Sequence, residues 1–135
     1  MSTTAAYAMI RELDLPYEEA DRRVREALQE EGFGVLTEID VKATMKKKLD
    51  VDFARYEILG ACNPPLAHKA LTMAPDIGLL LPCNLVVRAL DDGRTMVEAL
   101  DPVLQLGVAG DDALTPVAQD VRARMERVLD RVAGG

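Results

Sequence analysis

The chain has no tryptophan, one histidine and two cysteines, and only 4% of its 135 residues are aromatic. A single histidine without a paired carboxylate or serine motif leaves no catalytic triad to assemble. A glycine-rich phosphate loop, a nucleophile elbow and a metal-ligand helix are also missing, which sets aside conventional hydrolase and dinucleotide chemistry. No apolar run nears the ~20 residues of a membrane span. The opening Met1-Ser2-Thr3-Thr4-Ala5-Ala6-Tyr7 has neither the basic start nor the apolar stretch of a secretory signal, so a cytoplasmic location is expected, with Cys62 and Cys83 as free thiols. Positive charge is short as well. Lys and Arg number 16 against 23 Asp and Glu, and the net charge of −7 repels nucleic acid and anionic membranes, with no aromatic-plus-basic stripe to offset it.

What is present is an ordinary globular composition, 49% hydrophobic and 29% charged, which argues against a disordered chain. A chain of this length forms one domain, residues 1–135, and buries about two-thirds of the surface its unfolded form exposes.

Alternation marks a first strand at Tyr7 to Leu13, and Asp14-Leu15-Pro16 then signals a helix start. Tyr17, Ala20, Val24, Ala27 and Leu28 share one helical face, and Gly32 ends the segment. Val35 to Val41 alternates as a strand with one face on a core. From Asp40 to Leu49 the period changes to a short helix with Val41, Met45 and Leu49 on one stripe. Tyr56 to Cys62 is another strand, and Asn63-Pro64 places an N-cap and a first-turn proline ahead of a short helix, Leu66 to Ala74. Asp91-Asp92-Gly93 joins a hairpin of Leu85 to Leu90 and Thr95 to Leu100. Val103 to Asp112 reads as a loop that packs Leu104 and Leu106 inward. Thr115-Pro116 starts a last helix, with Val117, Val121, Met125, Val128, Leu129 and Val132 on one face as far as Gly134 and Gly135. The hairpin and short connections favour an α+β fold, a single mainly antiparallel sheet with helices packed on one face.

Three stretches carry a family likeness: Glu38 to Leu49, Tyr56 to His68 with its Gly60-Ala61-Cys62-Asn63-Pro64-Pro65 centre, and Gly78 to Asn84 with Leu81-Pro82-Cys83-Asn84. Together they resemble the family known as domain of unknown function 302, over about Tyr7 to Val132. The resemblance implies a β-α-β4-α domain of TATA-binding-protein-like shape that forms homodimers. It does not imply DNA binding, because a fold by itself carries no function. Asp50 stands where the family pattern leads one to expect Gly.

The two Cys-Asn dipeptides are the main chemical lead. Cys62 precedes the expected N-cap, so the positive end of the following helix would favour its thiolate. If the flanking strands are antiparallel, both cysteines reach one end of the sheet, as a redox pair, a sulfur carrier or a soft-metal site with His68 as third ligand. Their spacing matches no standard metal signature, and the plain alternative is that both are small core groups, with His68 on the surface. Asn63 is explained by capping, whereas Asn84 suits a turn or strand-edge hydrogen bond. Lys42, Lys46, Lys47 and Lys48 make a basic helix that, joined to the Asn63-capped helix, would attract a small anion; otherwise it is a solvated face. Glu38 and Asp40 share a strand face and are read as salt-bridge partners of Lys42.

The leading functional expectation is a dimeric, non-catalytic small-ligand-binding module, with Cys62, Asn63, Cys83, Asn84, Lys42 and Lys46 at the site. The alternative is a thiol-dependent redox, sulfur-carrier or soft-metal protein using Cys62 and Cys83. A purely structural partner-binding module is a third.

Overall fold

In the computed structural model, which describes residues 5–134, alternation along the strands and helical periodicity send the apolar side chains to one side of a single sheet. The chain runs through β1 (Ala8–Leu13), α1 (Tyr17–Glu30), β2 (Gly34–Asp40), α2 (Val41–Leu49), β3 (Tyr56–Cys62) and α3 (Pro64–Met73). A 3-10 turn at Pro75–Leu80 leads into β4 (Cys83–Ala89), β5 (Thr95–Leu100), α4 (Pro102–Gly107), a second 3-10 turn at Asp112–Leu114 and α5 (Thr115–Gly134). The strands lie in the order β1-β5-β4-β3-β2, and every neighbouring pair is antiparallel. The fold is therefore α+β, as the hairpin and the short connections lead one to expect.

The register settles the faces. Met9 lies opposite Ala99, Ala99 opposite Leu85, and Leu85 opposite Leu59, so these four form a row across the sheet and all are buried. Against this face pack Ala20, Val24, Ala27 and Leu28 of α1 and Val121, Met125, Val128 and Leu129 of α5. Each fully buried Val or Leu contributes roughly 1.5–3 kcal/mol from removal of apolar surface from water. The opposite face carries buried Met96 and half-buried Ile10, Tyr56, Ile58 and Val86 around an Arg88–Glu98 ion pair at 2.9 Å. Neither α1 nor α5 reaches it.

Three expectations change. The strand at Val35 to Val41 was expected to lay one face on a core, but β2 is an edge strand whose residues are all exposed except half-buried Val35. A bulge between Val35 and Thr37 shifts its register, and its inward position beside Leu59 is filled by Glu38, which pairs with Arg25. The helix α2 continues from this edge and buries no residue, so the Val41, Met45, Leu49 stripe is not a core face. The loop expected at Val103 to Asp112 contains α4, capped by Asp101, whose Oδ1 accepts from the Val103 N–H at 2.9 Å. Leu106 is buried there, but Leu104 is 48% exposed.

Two backbone positions shape the site end of the sheet. Asp50 closes α2 with φ of 53°, the left-handed conformation that glycine adopts without cost. Gly60 lies where a Cβ would collide with the Thr37 hydroxyl and come within 2.8 Å of Pro82 Cγ, so only glycine lets β2 and the β4 entry close over β3.

Candidate functional site

The end of β3 is built by Asn63. Its Oδ1 accepts from the Leu66 N–H at 3.3 Å, its carbonyl accepts from the Ala67 N–H at 2.8 Å, and its Nδ2 donates to the Glu31 carbonyl at 3.5 Å. Pro64 and Pro65 have no N–H to offer. The first turn of α3 thus has every donor either absent or already used.

Next to this cap, Cys83 lies opposite Ala61 in the β3–β4 register, so Cys62, the next residue of β3, ends its strand beside the start of β4. The expected meeting of the two cysteines at one end of the sheet follows from this pairing. Both line a cavity of about 290 Å³ under α3. Its walls are Phe33, Leu66, Ala70, Leu106, Val117 and Val121, and the exposed residues Leu36, Thr37 and Leu71 stand at its rim. Hydrocarbon and the two sulfurs make up nearly all of this lining. Gln105 braces the entry to β4 by donating from Nε2 to the carbonyls of Leu80 and of Pro82, the latter at 3.0 Å. Its Oε1 is buried without a partner, and Gln105 does not line the cavity.

The thiolate expected at Cys62 is corrected here. Burial pushes the Cys62 thiol up, and burial with the adjacent Cys62 pushes Cys83 up to about 11. The dipole argument fails because the N–H groups that would stabilise a thiolate are spent on Asn63 or replaced by proline. The three-ligand metal set is corrected too. His68 is exposed on α3, and among the described residues no group of three or more His, Cys, Asp and Glu is placed to hold a metal ion.

The lysines are elsewhere. Gly34 pairs with Cys62 and Asp40 with Glu57, so α2 begins at the opposite end of β2, roughly 20 Å away at the usual rise per strand residue. Lys42 Nζ donates to the Phe53 carbonyl at 2.8 Å, and Lys46 pairs with Asp50 at 2.9 Å. The anion site imagined between the basic helix and the Asn63 cap is therefore not formed. Asn84 is exposed opposite Gly60, on the face away from α1 and α5, so the repeated Cys-Asn dipeptide serves two different ends.

A polar cluster was missed altogether. Tyr17 donates to Glu57 Oε2 at 3.0 Å and to the Val87 carbonyl at 3.1 Å, and Arg25 reaches both Glu57, at 3.0 Å, and Asp21, at 3.1 Å. Arg55 lies 4.0 Å above the Tyr17 ring. Burial and the neighbouring Asp21 carboxylate push Glu57 up to about 7, against the Tyr17 hydroxyl and Arg25. The signal was in the sequence: Tyr17, Asp21 and Arg25 are four apart on one helical stripe, and Glu57 is in phase with inward Leu59 and Ala61. Glu38 does form a salt bridge, but with Arg25 rather than Lys42.

The family model for the domain of unknown function DUF302 matches residues 9–132. Among solved structures, the crystal structure of an uncharacterized conserved DUF302 protein from Bacillus stearothermophilus is 33% identical, covers 94% of this chain and 98% of its own, and superposes with a TM-score of 0.86. Comparison with curated proteins yields no match.

Proposed function

The chain belongs to the DUF302 family, a membership that carries a fold and no reaction, and we propose from its cavity that it is a non-catalytic small-ligand-binding module. The observation that supports this reading is the apolar cavity of about 290 Å³ at the Cys62/Cys83 end, open at its rim. Interiors pack densely because each unfilled volume forfeits dispersion contacts and costs stability. A void of this size, with a rim at the surface and few polar groups, suits an apolar guest. The test is fluorescence titration with 1-naphthylamine, which is uncharged at neutral pH. Saturable binding of one molecule per chain, weakened by Ala67→Leu at the cavity wall, is the expected result.

The module is read as a homodimer. The sheet face away from α1 and α5, with exposed Ile39 at its edge and exposed Leu49, Val51 and Phe53 beyond it, gives an apolar surface suited to a second copy. Sedimentation equilibrium at micromolar concentration tests this. Among the described residues no helix is long and apolar enough to cross a membrane, and the cytoplasm, where the two thiols stay reduced, is the proposed location.

The position of Cys62 and Cys83 on the lining of one cavity favours a second reading, thiol–disulfide exchange. Cys62 as thiolate would attack a small-molecule disulfide and release one thiol, and Cys83 would then displace the second thiol and leave a Cys62–Cys83 bridge. The substrate gains the two electrons and two protons that the dithiol loses. The raised thiols make this slow at neutral pH. A thiol count before and after exposure to oxidised glutathione decides it.

A further inference from the structure

We infer that the cavity under α3 selects a neutral, compact two-ring aromatic molecule and rejects both anions and cations. This rests on the binding reading above and names its ligand class.

An apolar cavity of about 150 Å³ accommodates benzene, and the volume here is about 290 Å³, close to twice that. Two fused rings fill it. The wall chemistry suits an aromatic ring, since Phe33 offers a ring and the thiols of Cys62 and Cys83 offer polarizable sulfur against a ring edge.

Among the described residues, no Lys, Arg, His, Asp or Glu lines the cavity. An anion would need donors, and the natural source, the first turn of α3, has none left: Pro64 and Pro65 have no N–H, and the amides of Leu66 and Ala67 are bound by Asn63. A cation would need a carboxylate, and none is there. An unpaired charge moved into such a site loses its hydration without compensation, a cost of several kcal/mol. The Thr37 hydroxyl at the rim and the Asn63 amide are the neutral polar side chains of the lining, so one hydroxyl or amide at the edge of the ligand is tolerated.

Three near-isosteric probes separate the outcomes: 1-naphthalenemethanol, 1-naphthoate and 1-naphthylmethylammonium, each titrated into the whole chain while the methyl resonances of Leu66, Val117 and Val121 are followed by NMR. The expected result is that the alcohol shifts these methyls saturably and binds at least tenfold more tightly than either ion. Ala67→Leu and Ala70→Val should each weaken the alcohol at least tenfold while unfolding stays cooperative. If naphthoate or the ammonium binds as tightly as the alcohol at the same methyls, the neutral class is wrong although the cavity binds ligands. If none of the three moves these methyls, the inference falls together with the binding reading.

Discussion

The Tyr17 hydroxyl donates to Glu57 at 3.0 Å, and this bond joins the first turn of α1 to an inward position of β3. Glu57 is 14% exposed and lies beside the Asp21 carboxylate, so it holds its proton more tightly than an unfolded carboxyl would. The raised group binds a proton in the folded state before the unfolded chain does. Its stabilisation is therefore full below about pH 4.5 and is lost as pH rises toward about 7. Urea unfolding at pH 5 and pH 8 should show a loss on the order of 1–3 kcal/mol, and Glu57→Gln should remove most of that dependence. An unchanged pH dependence in the variant would show that a group other than Glu57 is responsible.

Glu31 behaves in the opposite sense. Burial works against its charge, but hydrogen bonds from Arg127 at 2.9 Å and Arg131 at 3.1 Å hold its carboxyl below the usual range. This contribution is present above the unfolded carboxylate range and disappears as pH falls through the lowered folded value. Glu31→Gln should cost about 1–2 kcal/mol at pH 7, less than a fully buried pair because both arginines are about half exposed. The destabilisation should shrink in acid, as thermal unfolding at pH 3 would show.

Asp50→Gly should stabilise the protein by up to about 1 kcal/mol, because glycine takes a positive φ without a Cβ penalty. The substitution gives up an exposed pair with Lys46, which is worth little. A lower melting temperature would show that the Lys46–Asp50 contact outweighs the backbone gain.

Asn63→Ala should cost about 1–2 kcal/mol through the lost cap on α3. It also removes the bond to the Glu31 carbonyl, so the variant should loosen the junction between β3, α1 and α5. Faster hydrogen exchange at Leu66 and Ala67 is the expected signature.

How much of this was legible in the chain depends on the range of the interaction involved. Tyr56 to Cys62, Thr95 to Leu100 and the buried face of α5 follow from local periodicity, and the structure places all three as read. Asn63-Pro64 announces its cap because the capping bond spans three residues. Asp101-Pro102 carries the same signal but equally suits the end of a strand, so α4 hides behind a pair of residues with two local meanings. The exposure of β2 was not local at all. Its alternation is real, but edge position and the Glu38–Arg25 pair decide which face is covered. The cavity is hidden for the same reason: Phe33, Ala61, Leu106 and Val117 are far apart in sequence and meet only once the sheet and α5 are assembled. The Cys62 thiol illustrates a different failure, in which the dipole rule held in general while Pro64 and Pro65 removed the groups that carry it.

The central claim is that the void beside Cys62 and Cys83 is a binding site. The most direct test is the dissociation constant of 1-naphthylamine for the native chain and for Ala67→Leu, measured by fluorescence under reducing conditions. One saturable site per chain, weakened at least tenfold by the substitution while the variant remains folded, is the predicted result. No saturable binding, or equal binding to both proteins, would contradict it.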